Sequence, residues 1–301
     1  MVSDPVSIGS DPPTSLSIHS LVKEEQRITA DQLRSTLSRV SLDRYPELQA
    51  YTRDEIYGRG DQMSPGALFL AARMARRLKV RPGDIVLDVG CGLGESSIFL
   101  AKHYDVRVVA VDLGIPAVTL SEKFSKRNWG AKVNALNLDI AEPLPFADGY
   151  FDAVFCMTSI HYFGVTTGFL KHLLQYMKKG GRFCVGNTCF DREIPADQVP
   201  DIYRTTPPGS ILDGWEGECS RYHSPAWWQR LFTDSGIVKM IECLELEDGP
   251  AMWEDKLAYD LERSGWSQES IDSLKWKIDQ ILYGRDHRPR FTFFVATVER
   301  L

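Results

Sequence analysis

No run of 18 consecutive apolar residues occurs anywhere in the 301-residue chain, so no segment has the composition of a membrane-spanning helix. The start, Met-Val-Ser-Asp-Pro-Val-Ser, lacks the basic opening and apolar block of a secretory leader, which points to a cytoplasmic protein. Cysteine is sparse: six residues, at 91, 156, 184, 189, 219 and 243, with no C-x-x-C among them. That pattern excludes a disulfide framework, and several of the six fall inside apolar, strand-like runs, as reduced core cysteines do. The histidines (19, 103, 161, 172, 223, 287) are as dispersed, with no H-x-x-x-H and no acids at ligand spacing, so no metal site is expected. Excess positive charge is missing too. With 35 Lys and Arg against 41 Asp and Glu, the net charge of −6 excludes nucleic acid as the main partner. The basic run from Arg73 to Arg81 reads as a solvated helix face. There is no internal repeat. What remains is 43% apolar residues, enough for the core of one large α/β domain with additions.

The informative stretch is Val86-Leu-Asp-Val-Gly-Cys-Gly-Leu-Gly-Glu-Ser-Ser97. An apolar run broken only by Asp88 gives way to Gly90, Gly92 and Gly94, and a helical pattern follows. Strand, glycine turn and helix start present free backbone N–H groups to a nucleotide-like ligand, because glycine alone takes positive φ cheaply and lets backbone lie against a bound molecule. A dinucleotide loop spaces its glycines G-x-G-x-x-G; here they fall G-x-G-x-G. Arg107-Val-Val-Ala-Val-Asp112 is a second apolar strand ending in an acid, 18 residues after Gly94, where a carboxylate can accept from both ribose hydroxyls. Ala135-Leu-Asn-Leu-Asp-Ile140 is a third strand ending near Asp139. Asp152-Ala-Val-Phe-Cys-Met157 is a fourth. Leu170 to Met177 has helical period and Lys178-Lys-Gly-Gly181 is the expected stop, with Arg182-Phe-Cys-Val-Gly as a fifth strand.

The glycine spacing with its preceding acid resembles the first motif of class I S-adenosylmethionine (SAM) methyltransferases. Pro143-Leu-Pro-Phe-Ala-Asp-Gly-Tyr-Phe-Asp152 is similar to a later motif of that family. Met63-Ser-Pro-Gly-Ala-Leu-Phe-Leu70, His161-Tyr-Phe-Gly164 and Arg221-Tyr-His-Ser-Pro-Ala-Trp-Trp228 resemble a type 11, cyclopropane-fatty-acid-synthase-like group of small-molecule methyltransferases. The likeness is close over about 64–190 and looser over 220–300. The cyclopropane synthase activity itself is not carried over, since a basic lipid-binding surface and a bicarbonate-holding set of residues are missing. The resemblance implies a Rossmann-like, seven-stranded α/β sheet, parallel except for an antiparallel last strand. It implies SAM as cofactor and S-adenosylhomocysteine as product. It places Asp88 and the loop Gly90, Cys91, Gly92, Gly94 at the methionine end, with Asp88 partly orienting the loop. Asp112 belongs to the ribose, with Leu113 beside the adenine. Asp139, flanked by Ile140, belongs to the adenine amine. Cys156 and Met157 form the cofactor floor.

Residues 1–18, rich in Ser, Pro and Asp, read as a disordered tail, 19–80 as an N-terminal helical lid and 81–301 as the SAM-binding domain. Thr29 caps a helix near 30–40, Pro46 opens another near 46–57, and Ser64-Pro65 opens a third to about Leu78. The loop 191–223 is the expected acceptor loop. Ser224-Pro225 caps a helix closed by Gly236, Val238 to Leu246 is strand six, and Arg290 to Glu299 is the last strand. A helical insertion over 249–285 replaces the family's short hairpin, as a cap or as a homo-oligomer contact.

His161 follows strand four, at the sheet's carboxyl edge where ligands sit, and can titrate near neutral pH, so it is the candidate base; the alternative is a histidine that only lines the pocket. Similar enzymes fold a tyrosine-bearing segment over the cofactor, which suggests Tyr57 for the sulfonium and Tyr51 for the acceptor, with Gly58 and Gly60 as a hinge. Ordinary helix packing is the alternative for both. Tyr162 and the aromatic group Trp215, Tyr222, His223, Trp227 and Trp228 are the candidate acceptor wall, one of the adjacent Trp227 and Trp228 facing the core. Trp253, Trp266 and Trp276 read as packing residues. The expected partner is a small-molecule acceptor, at oxygen, nitrogen or activated carbon, in specialised biosynthesis. The rivals are an NAD-dependent oxidoreductase, a SAM-fold enzyme that transfers no methyl group, and a non-catalytic SAM-binding subunit.

Overall fold

The computed structural model describes residues 29–163, 166–194, 222–263 and 289–301, with 267, 268, 271, 272 and 275. Seven strands form one sheet: β1 (Ile85–Val89), β2 (Arg107–Asp112), β3 (Val133–Asn137), β4 (Phe151–Met157), β5 (Met177–Phe190), β6 (Val238–Glu245) and β7 (Phe291–Arg300), in the order β3-β2-β1-β4-β5-β7-β6. The pairs within β3-β2-β1-β4-β5 are parallel, and β7 runs antiparallel to both β5 and β6. This is the expected mostly parallel sheet with one reversed strand. The order reverses between β1, whose neighbour is β2, and β4. That switch point opens a crevice beyond the carboxyl ends of the strands.

Strand parity decides the layers. Val86, Val108, Ala153 and Phe155 face the apolar layer containing α3 (Ala67–Ala75) and α4 (Glu95–Tyr104). Leu87, Val89, Val154 and Cys156 face the layer containing α6 (Thr167–Leu174) and α7 (Pro225–Asp234). Successive side chains of a strand point to opposite faces, so strands buried on both sides read as continuous apolar runs. α5 (Ala117–Lys126) presses Leu120 and Phe124 into the first layer. Ser224 caps α7 as expected, accepting from Trp227 N.

Two boundaries differ from the sequence reading. α6 ends at Leu174, and Lys178-Lys-Gly-Gly181 lies inside β5. Phe151 pairs with Met177 but Ala153 pairs with Arg182, so two residues of β4 span five of β5 and the surplus loops out. Gly180 takes φ +76° there. Glycine after lysines thus marks a bulge here, with the same chemistry that stops a helix. Ser64 does not cap α3: the N-cap position belongs to Gly66, and no side chain bonds to that helix end.

The N-terminal segment holds α1 (Ala30–Thr36) and α2 (Arg53–Ile56), each opened by a capping box, from Thr29 and Thr52. The stretch expected as a helix over 46–57 is instead a 3₁₀ turn, Pro46–Leu48, followed by α2. α8 (Gly249–Arg263) is the described helix of the insertion, and it docks on this segment. Asp255, only 2% exposed, accepts from Val40 N and pairs with Arg53. Glu254 accepts from Ser38 N at 2.7 Å, and Asp248 from the Tyr45 hydroxyl at 2.7 Å. The two additions to the sheet, some 200 residues apart in sequence, are therefore one layer. No helix among the described residues is long and apolar enough to cross a membrane.

Candidate functional site

A cavity of about 750 Å³ occupies the switch-point crevice. Three chain features build its floor. Gly90, Gly92 and Gly94 all have positive φ (+65°, +54° and +78°), turning the chain from β1 into α4. A Cβ on Gly90 would lie 2.4 Å from the Ser159 side chain, and one on Gly92 3.1 Å from Met63 Sδ. Only glycine lets this loop pass between β4 and the 58–65 strap.

Beneath the loop, Asp88 is fully buried and accepts from the Ser96 and Ser97 hydroxyls at 2.8 and 2.6 Å. Burial pushes its carboxyl up to about 6, against the pull of those two hydroxyls. Asp88 does not reach the cavity. It ties the loop to α4, so of its two expected roles only the orienting one has a place. Cys91 lines the cavity, and burial drives its thiol far above the ordinary range, which leaves it neutral.

At the end of β2, Asp112 lines the cavity. One carboxylate oxygen accepts from Gly92 N at 2.8 Å, and the other from Gly114 N and Ile115 N at 2.9 Å each. A carboxylate has about four lone-pair sites, so capacity remains for a ribose hydroxyl. Leu113, 65% exposed, is an apolar rim beside it. Asp139 and Ile140 lie in the turn after β3, and Asp139 accepts from Ala141 N at 2.9 Å. Asn137 donates to the carbonyls of Asp112 and Leu113 at 2.8 Å each, stapling the ends of β2 and β3. This positioning amide sits between two motif acids and has no motif of its own.

Leu113, Asp139, Ile140 and Met157 reach the cavity as expected, and Tyr162, 53% exposed, stands at its mouth. His161 lines it too, in a short 3₁₀ turn after β4. Its Nδ1 lies 3.0 Å from Asn187 Oδ1, and its ring rests against Tyr162 and Tyr222, with centroids 4.0 and 4.9 Å away.

Several expected residues lie elsewhere. Tyr57 is fully buried in the cap, stacked on Tyr259 at 4.6 Å, and does not line the cavity. Tyr51 stacks on His103 on the far side of α4, its hydroxyl 2.7 Å from Nε2. Both follow the packing alternative. Cys156 points into the α6–α7 layer, with Sγ 3.2 Å from Ser159 Oγ. Period-2 alternation sends it opposite to Met157. His223 pairs with Glu193 at 2.6 Å and stacks on Trp227 at 3.7 Å, and neither lines the cavity. Trp228 is the core member of the pair, 0% exposed against Phe294. Trp215 lies outside the described residues.

Tyr222 lines the cavity as expected of the aromatic group after strand five, and Thr158 opens the expected stretch after β4; the sequence reading missed Gln62, Ser64, Thr188 and Trp253, which line it too. Trp253 was read as packing. It does pack, on Phe293 at 5.7 Å, and it also reaches the cavity from α8. Thr158 has φ +53°, rare for a β-branched residue and the kind of strain that clusters at functional sites. Gln62 and Ser64 are 8% and 3% exposed, and Gln62 Nε2 and Ser64 Oγ have no hydrogen-bond partner among the described residues. Buried polar atoms without partners on a cavity wall are what a polar ligand would satisfy. With the glycine cradle, these residues fit the polar methionine half of SAM. Asp112, Leu113, Asp139 and Ile140 fit its nucleoside half. Among the described residues no group of three or more His, Cys, Asp or Glu could hold a metal ion.

Comparison with known proteins agrees with this geometry. Residues 86–181 match a family described as a methyltransferase domain. Phosphoethanolamine N-methyltransferase of Triticum aestivum is 25% identical over 147 residues, 48% of this chain but only 28% of that protein. The 27-O-demethylrifamycin SV methyltransferase of Amycolatopsis mediterranei (strain S699) is 31% identical over 179 residues, 52% of this chain and 65% of that one. Geranyl diphosphate C-methyltransferase from Streptomyces coelicolor A3(2), solved with Mg2+, geranyl diphosphate and S-adenosylhomocysteine, superposes with a TM-score of 0.58. It covers 88% of this chain and 90% of that one at 17% identity, a likeness of fold. Motif order, sheet order and family match converge: residues 86–181 are similar to a methyltransferase domain, set in a seven-stranded sheet whose fold is that of class I, S-adenosylmethionine-dependent methyltransferases.

Proposed function

We propose that the chain transfers the methyl group of SAM to a small-molecule acceptor. The observation that carries this reading is one cavity holding both halves of the problem. Glycine loop and strand-end acids lie on one side; His161, Tyr162, Tyr222 and Trp253 lie on the other. The relatives named above act, by their names, on phosphoethanolamine, a rifamycin and geranyl diphosphate. Their shared ground is methyl transfer in small-molecule metabolism.

SAM supplies a methyl carbon already activated by a sulfonium. The protein's task is alignment and exclusion of water, and positioning alone can supply roughly 7–11 kcal/mol of the barrier. Asp112, which holds Gly92 N, would hold the ribose. Gln62 and Ser64, with buried polar atoms unpartnered among the described residues, would bind the methionine end from the strap. Leu113 and Ile140 would border the adenine, and Asp139 would accept from its amine. Tyr162, Tyr222 and Trp253 provide flat apolar walls for the acceptor, and His161 stands where an acceptor proton would leave.

Calorimetric titration with S-adenosylhomocysteine, with NAD as control, tests the reading. Micromolar binding, reduced at least tenfold in Asp112→Ala and with no NAD signal, is the expected result. Binding of NAD instead would move the chain to the oxidoreductases. Cofactor binding with an acceptor turned over and no S-adenosylhomocysteine formed would identify a fold member that transfers no methyl group.

A further inference from the structure

Asn187 lies in β5 with no exposed surface, next to Thr188, which lines the cavity. Its backbone is held in register with Phe294 of β7. Both ends of its amide are committed. Nδ2 donates to the Thr188 carbonyl at 3.0 Å, and Oδ1 faces His161 Nδ1 at 3.0 Å. A carbonyl oxygen only accepts, so the end of the amide against Thr188 must be the NH2 group, and the end against His161 must be the oxygen. That oxygen can only accept as well. The contact is a hydrogen bond only when Nδ1 carries the proton; with a bare Nδ1, two lone pairs would meet in a buried site, at the cost of an unmet polar pair. In neutral imidazole one nitrogen donates and the other accepts.

We propose that Asn187 is a positioning residue that fixes His161 as the Nδ1–H tautomer, making Nε2 the nitrogen that takes the acceptor's proton. The proposal rests on the methyl-transfer reading for its chemistry but not for its geometry. In the step, the acceptor's O–H or N–H bond breaks and its proton passes to Nε2. The acceptor's electron pair bonds the methyl carbon as the carbon–sulfur bond breaks, and that pair stays on sulfur. The positive charge that began on the sulfonium ends on the imidazolium, which returns its proton to water.

Asn187 is neutral, so it sets the tautomer without holding the charged ring. Among the described residues, the titratable groups around His161 are Tyr162 on its own turn, Tyr222 against its other face, and Cys91, Asp112 and Asp139 across the cavity. None is a carboxylate in contact with Nδ1. An aspartate in place of Asn187 would add that carboxylate, keep the tautomer and favour the charged ring, because an opposite charge in contact stabilises the protonated form.

Two-bond proton–nitrogen spectra of the full-length protein labelled with nitrogen-15 histidine test this directly, with His161→Gln assigning the signal. Above its titration, His161 should show a protonated Nδ1 and a bare Nε2. Asn187→Leu should release the ring to the Nε2–H form that free imidazole prefers. Asn187→Asp should keep Nδ1–H and shift the titration upward, and it serves if the leucine variant does not fold. An Nε2–H form in the wild type overturns the proposal, as does an Asn187→Asp titration equal to the wild type's. Failure of S-adenosylhomocysteine to bind the wild type in the calorimeter would sink the methyl-transfer reading instead and leave the tautomer result standing.

Discussion

Gly90→Ala is the sharpest test of how the glycine loop is held. Two costs are legible at that position. The first is conformational: φ is +65°, and the left-handed region costs an L-residue roughly 1–2 kcal/mol. The second is contact: the new Cβ would sit 2.4 Å from both Cβ and Oγ of Ser159. Ser159 cannot retreat cheaply, because it is 7% exposed and its hydroxyl donates to the Val89 carbonyl at 2.8 Å. Overpacking of this kind costs about 1–3 kcal/mol. The sum is about 2–5 kcal/mol of stability. Comparison with Gly180→Ala isolates the contact cost. Gly180 has φ +76°, but no atom lies within 4 Å of its would-be Cβ, so it carries the conformational cost alone. The gain from stiffening the unfolded chain is common to both variants and cancels. Urea denaturation of the two variants beside the wild type should place Gly90→Ala below Gly180→Ala by about 1–3 kcal/mol. Calorimetry should show S-adenosylhomocysteine binding weakened only in Gly90→Ala. Equal midpoints for the two variants, with cofactor binding intact in both, would refute the claim that the Gly90–Ser159 approach holds the loop.

Three further perturbations follow from the same structure. Asp88 holds its proton up to about pH 6 in the folded chain, well above the usual carboxylate range. The stability linked to it is present in full below about pH 4 and is lost as pH rises through 6, by roughly 3 kcal/mol for a shift of about two units. Asp88→Asn should flatten that stretch of a stability–pH curve measured by denaturation, and a curve unchanged from the wild type would count against the buried carboxyl. Gln62→Leu and Ser64→Ala remove buried polar atoms that have no partner among the described residues, so stability should hold or rise while S-adenosylhomocysteine affinity falls about tenfold, as loss of a hydrogen bond to a charged ligand group predicts. A fall in stability with affinity unchanged would mean these groups serve the strap and not the ligand. Asp255→Leu leaves the buried Val40 N without its acceptor and takes the side-chain carboxylate from Arg53, which keeps Glu262 at 3.7 Å, so it should cost about 1–3 kcal/mol, with earlier proteolytic cleavage of the N-terminal segment than in the wild type.

The cofactor half of the site was legible in the sequence because its code is local. Glycines at 90, 92 and 94 and acids at strand ends need only their own neighbours to take up their roles, so Asp112, Leu113, Asp139 and Ile140 all reach the cavity. Errors arose where a residue's face, and not its element, decided the outcome. Cys156 and Met157 are adjacent, and alternation sends one to the core and the other to the cavity. The Lys178–Gly181 stretch misled for a related reason: a bulge and a helix stop both need glycine, and only pairing with β4 tells them apart. Tyr51 and Tyr57 were placed near the cofactor by likeness to relatives. In this chain His103 and Tyr259 claim their rings.

The acceptor half was only partly legible, in His161, Tyr162 and Tyr222, for a different reason. Its wall comes from Met63 on the strap, His161 and Tyr162 after β4, Thr188 on β5, Tyr222 before α7 and Trp253 on α8, elements spread along the chain from residue 63 to residue 253. Two of the sources, the strap and α8, belong to the layer that Asp255, Glu254 and Asp248 tie together. The matched family domain stops at residue 181, before half of that wall is built. The acceptor wall thus draws on parts of the chain beyond the matched domain as well as within it. Among the described residues, α8 contributes Trp253 to the cavity, while the glycine loop and strand-end acids come from the sheet. A substitution on α8 that redirects Trp253 should then alter which acceptors are turned over while leaving S-adenosylhomocysteine affinity where the sheet sets it.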